Sequence, residues 1–102
     1  MKNSITVCIL LLILACANRK AETQIVELSC GQCQFGLTSQ KGCDLALRID
    51  EQAYFVDGAD IDDFGDAHDE VVGFCEVIRK GEVEGEIIDN RFKISAIKML
   101  DE

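Results

Sequence analysis

A chain of 102 residues, with 19 acidic against 10 basic side chains and a formal net charge of −9, has room for one small domain and excludes a multidomain enzyme. The acidic excess repels phosphate backbones and anionic headgroups, which excludes nucleic acid as a partner and suits cations better. There is no proline, no tryptophan, no internal repeat and no low-complexity tract, while six cysteines are many for this length.

The chain opens on Lys2, an apolar run from Ile5 to Ala15, and Ile13-Leu14-Ala15-Cys16. A basic start, a short apolar core and a small residue before a cysteine are the pattern of a bacterial lipoprotein signal. A membrane span needs about 20 apolar residues, and Asn18, Arg19 and Lys20 end this run earlier. The expectation is therefore a signal peptide over residues 1–15, a lipidated Cys16 with a flexible tether over 16–25, and a domain over 26–102. That places the protein in the bacterial cell envelope as a periplasmic or outer-membrane lipoprotein, held to the membrane by acyl chains. Cleavage near Ala17 by an ordinary signal peptidase would also export it.

Ile25 to Leu28 alternate with β-branched residues and predict a first strand ending near Cys30, followed by a glycine-rich loop over 31–42. Cys43–Ile49 and Gln52–Val56 alternate about Asp50-Glu51 as a hairpin does, and Glu82–Ile88 and Arg91–Leu100 do so about Asp89-Asn90. Between the hairpins, Val71, Val72, Cys75 and Ile78 approximate a helical stripe that Gly81 would cap. The predicted fold is mainly β: a small five-stranded antiparallel OB-like barrel, with one short helix between strands 3 and 4. Its expected core includes Leu45, Leu47, Phe55, Ile78, Val83, Ile87, Phe92 and Ile94.

With Cys8 and Cys16 assigned to the export segment, Cys30, Cys33, Cys43 and Cys75 remain in the domain. Because successive strands reverse direction, the end of strand 1 and the start of strand 2 share one pole, where the acidic stretch after Val56 also falls. An even number of thiols in an exported domain reads first as two structural disulfides. The favoured pairing is Cys30 with Cys75 and Cys33 with Cys43, since a C-x-x-C bridge closes too small a loop to restrain the unfolded chain. Thiolate ligation of zinc or copper is the second reading, because C-x-x-C is a natural chelating knuckle, though a second knuckle is missing. A redox dithiol at Cys30-x-x-Cys33 is the third, weakened by the poor helix former after Cys33 and by the lack of any proline to face the thiols.

Residues 57–70 carry seven carboxylates and no Lys or Arg. Phe64 and Val71 stand where an EF-hand needs oxygen ligands, so the simplest role for these aspartates is to cap turns. His68, the single histidine, and Asp66 are candidate metal ligands beside the cysteines. Neither a serine nor a second histidine is placed to complete a hydrolytic set, so the sequence points away from an enzyme.

The stretch Cys30-Gly31-Gln32-Cys33-Gln34-Phe35-Gly36, with Gly42-Cys43, Ala53-Tyr54-Phe55-Val56-Asp57-Gly58, Gly65-Asp66-Ala67-His68 and Gly73-Phe74-Cys75, resembles an uncharacterised family of small bacterial envelope proteins. Members are frequently predicted lipoproteins in Bacteroidetes-like genomes. The resemblance spans about Val26 to Leu100 and implies compartment and a coherent domain; it carries over no catalytic residue. The functional expectation is a lipid-anchored, non-enzymatic binding or accessory module stapled by disulfides. A metal-binding protein and a thiol redox protein are its alternatives, and the protein or metal-ion partner is left open.

Overall fold

The computed structural model describes residues 23–100. The signal peptide over 1–15, Cys8, the lipidation site Cys16 and the tether as far as residue 22 lie outside the described residues. The elements are β1 (Gln24–Cys30), α1 (Gly31–Gln34), β2 (Leu45–Ile49), β3 (Gln52–Asp57), a 3-10 turn (Ile61–Phe64), β4 (Arg79–Ile88) and β5 (Arg91–Met99). β1 starts before the expected domain boundary at residue 26. Within the described residues no helix is long and apolar enough to cross a membrane.

The five strands close into a barrel in the order β1-β2-β3-β5-β4, with β4 returning to pair with β1. The all-antiparallel expectation is corrected at one seam, where β3 and β5 run parallel through Val56↔Phe92 and Asp57↔Lys93. The reason is parity. An odd number of strands cannot alternate direction all the way round a closed ring, so one pair must be parallel.

Both hairpins turn where alternation breaks. Asp50 and Glu51 (φ 49° and 72°) and Asp89 and Asn90 (φ 52° and 63°) are left-handed at both central positions, the type I′ geometry whose twist matches the flanking strands. Inward residues alternate as Val26, Leu28 and Cys30 on β1, with Leu45 and Leu47, Val83, Phe92 and Ile94 from the other strands meeting them in one core. Phe55 is buried as expected.

Ile78 and Ile87, expected in this core, are exposed at 38% and 50%. Ile87 lies beyond a register shift at Glu84/Gly85, near the tip of the β4–β5 hairpin and away from the enclosed part of the barrel. The expected helix around Val71–Ile78 is likewise not formed. Residues 66–77 are a string of turns, in which the Asp69 carboxylate accepts from the amides of Val71 and Val72 and the Asp66 carboxylate from that of His68. The segment doubles back so that the Cys75 amide donates to the Ala67 carbonyl (2.9 Å). It packs Phe74 inward while Val71 stays 78% exposed. Gly81 is no helix cap; it sits inside β4, where a Cβ would stand 2.5 Å from Leu28 Cδ1.

Candidate metal centre

β1 delivers Cys30 fully buried at the barrel mouth, and the chain then makes the single turn α1. Cys30 acts as the N-cap of that turn, its Sγ accepting from the Cys33 amide at 3.3 Å, which brings Cys33 back over Cys30. Gly31 permits the turn to lie flat on the barrel, since a Cβ there would come 2.6 Å from the Phe55 ring. The glycine-rich loop expected over 31–42 thus begins with a helical turn.

Two backbone hydrogen bonds clasp this knuckle between remote segments. The Gly31 amide donates to the Asp44 carbonyl (2.8 Å), beside Cys43, and the Cys30 amide to the Phe74 carbonyl (3.0 Å), beside Cys75. Two glutamines reinforce them. Gln32 donates through Nε2 to the Asp44 carboxylate (2.7 Å) and accepts from the Asp44 amide through Oε1 (2.9 Å), while Gln34 Nε2 donates to the Cys75 carbonyl (2.9 Å). On the other face of β1, the buried Ser29 hydroxyl lies 2.7 Å from both the Phe74 and the Val77 carbonyls and pins the loop that carries Cys75. Asp44 is held further by Gln40, which in turn accepts from Arg91, itself forked onto Asp57.

The result is that the sulfurs of Cys30, Cys33, Cys43 and Cys75 all lie within 4.8 Å of one another. This set spans three chain segments and could hold a metal ion. Tetrahedral zinc with bonds of about 2.3 Å to sulfur has S–S edges of about 3.8 Å, inside the span observed. The Cys30 and Cys43 sulfurs stand 2.8 Å apart, longer than the roughly 2.05 Å of a disulfide bond. All four cysteines are free thiols, so the two expected bridges, Cys30–Cys75 and Cys33–Cys43, are not present. Cys30 is buried, Cys43 and Cys75 are half-buried and Cys33 is exposed.

Hydrogen bonding favours the anionic form of the sulfur at the buried end. Burial alone would raise the Cys30 thiol, but hydrogen bonds to its sulfur from Cys43, Cys33 and the amides of Cys33 and Gln32 outweigh it and bring it below its ordinary value. Cys33 is pushed up to about 11 by its hydrogen bond to Cys30 and by burial, and Cys43 is pushed up by burial and by the same sulfur. Metal ions bind the thiolate form, so a dication held by these sulfurs would offset the burial that opposes ionisation at Cys43 and Cys33.

His68 and Asp66 do not join the group of mutually adjacent ligand atoms among the described residues. Both are exposed, hydrogen-bonded to each other through the His68 amide and the Asp66 carboxylate. Sequence reasoning missed Ser29, Gln32, Gln34 and Asp44, which aim the ligands. Only the polar filling of Cys30-Gly31-Gln32-Cys33-Gln34 hints at the two glutamines.

No curated protein and no solved structure is significantly similar to this chain. A family model does match it over residues 24–100, the interval that contains all five strands and all four cysteines of the site. The chain belongs to DUF6370, a family of unknown function.

Proposed function

We propose that this protein is a metal-binding domain of the bacterial envelope that holds one thiophilic ion, zinc in the first place and copper(I) in the second, through Cys30, Cys33, Cys43 and Cys75. The observation that carries the reading is the convergence of four sulfurs from three chain segments within 4.8 Å. An all-sulfur donor set selects soft or borderline ions over calcium and magnesium. The Cys33 amide on Cys30 Sγ and the glutamine contacts to the neighbouring backbone supply the outer hydrogen bonds that orient metal ligands.

The address rests on the leader alone: an Ile-Leu-Ala-Cys end to a short apolar run supports lipidation at Cys16 and a periplasmic or outer-membrane location. The OB-like reading of the barrel is supported by the strand ring β1-β2-β3-β5-β4. Elemental analysis of protein purified anaerobically from its own compartment tests the proposal. One equivalent of zinc or copper per chain is expected, lost in Cys43→Ser. Metal-free protein whose four thiols resist alkylation until reduced would overturn it in favour of the disulfide-stapled binding module.

A further inference from the structure

Resting on the four-thiolate reading, we infer that the site is a transfer site, which hands its ion to a thiol-bearing acceptor by ligand exchange at Cys33. The four ligands are not equally exposed. Cys30 is fully buried, and its amide is committed to the Phe74 carbonyl. Cys43 is half-buried and adjoins Asp44, which is fastened by Gln32, by Gln40 and by the Gly31 amide. Cys75 is half-buried and fixed on both sides, its amide on the Ala67 carbonyl and its carbonyl under Gln34.

Cys33 differs from all three. Its side chain is exposed, and it rides on a single helical turn of four residues that ends at once in the left-handed Gly36 (φ 68°). Three sulfurs are thus sheltered to differing degrees, and the fourth faces solvent, where an incoming ligand meets the metal without entering the barrel. Four thiolates fill a tetrahedral sphere, so exchange requires one of them to be displaced, and Cys33 is the one exposed to an incoming ligand.

The step involves no redox change. An acceptor thiolate forms a metal–sulfur bond, the bond to Cys33 Sγ breaks, and Cys33 leaves as a thiolate that takes up a proton from water, replacing the one the acceptor thiol released. Repetition at the remaining ligands moves the ion to an acceptor with several thiols.

The test uses the zinc-loaded domain and a synthetic peptide with two Cys-X-X-Cys pairs as acceptor. Zinc stoichiometry is measured first, and a chain that takes up no zinc sinks this inference together with the four-thiolate reading. With one zinc bound, the initial transfer rate is expected to rise in proportion to peptide concentration, and substoichiometric iodoacetamide is expected to label Cys33 first. Cys33→Ser, with one ligand removed, should hold zinc more weakly and transfer what it holds faster than the unaltered chain. A transfer rate independent of peptide concentration, or labelling spread evenly over the four cysteines, would overturn the exchange route and leave zinc binding intact.

Discussion

Zinc added to the reduced, metal-free domain should raise its melting temperature by about 10 to 20 °C at a hundredfold excess over the dissociation constant. The figure follows from linkage: a ligand that binds only the folded chain at that excess stabilises it by about 2.7 kcal/mol, and a domain of this length shifts by about 4 to 8 °C per kcal/mol. The folded site is close to pre-formed. The Cys30 and Cys43 sulfurs are 2.8 Å apart and all four lie within 4.8 Å of one another, so the tetrahedral edge of about 3.8 Å is reached at that pair by a shift of about 1 Å. The unfolded chain, in contrast, must gather Cys30, Cys43 and Cys75 across long loops, which makes binding to it weak. Circular dichroism melts with a thiol-free reductant, repeated in Cys43→Ser, measure the effect. Zinc that leaves the melting temperature unchanged, or that shifts Cys43→Ser equally, would refute the reasoning. Because each ligand must lose its proton, with Cys33 held up at about 11, the shift should shrink as pH falls.

Three further outcomes test the scaffold. Ser29→Ala removes the buried hydroxyl that serves the Phe74 and Val77 carbonyls; urea unfolding should show a loss of about 1 to 3 kcal/mol, accompanied by weaker zinc binding because the Cys75 loop is freed. Glu51→Gly relieves a left-handed glutamate at φ 72° in the β2–β3 turn and should stabilise the domain by about 0.5 to 1 kcal/mol in the same assay. The Arg91 guanidinium holds the Asp57 carboxyl below its ordinary range, so its contribution is present at neutral pH and is lost as pH falls below about 4, through the depressed native value. Since Asp57 is half exposed, Asp57→Asn should cost less than about 1 kcal/mol at neutral pH and flatten the acid limb of a stability–pH curve.

The strands were legible because each has one buried face, and period-two alternation survives in the residues themselves, as in Val26, Leu28 and Cys30. The turn pairs Asp50-Glu51 and Asp89-Asn90 were legible as polar interruptions of that alternation. Strand reversal alone brought Cys30, Cys33 and Cys43 to one pole. The segment around Val71–Ile78 was misread because its apolar spacing imitates a helix. There Phe74 inserts into the core and the carbonyls of Phe74 and Val77 turn to Ser29, so long-range contacts override the local period. His68 was grouped with the cysteines by its place in the chain order, whereas its loop caps itself with Asp66 and leaves it exposed.

By itself the sequence determined five strands, two tight hairpins, an acidic surface and three thiols, Cys30, Cys33 and Cys43, destined for the same end of a small barrel, since all of these follow from local pattern and from the reversal of successive strands. Tertiary structure alone decided that β3 and β5 run parallel, that the four sulfurs converge unbridged, and that Cys33 is the one left facing water. Those outcomes depend on closing the ring and on hydrogen bonds from Ser29, Gln32 and Gln34 to segments far along the chain, which no local window contains.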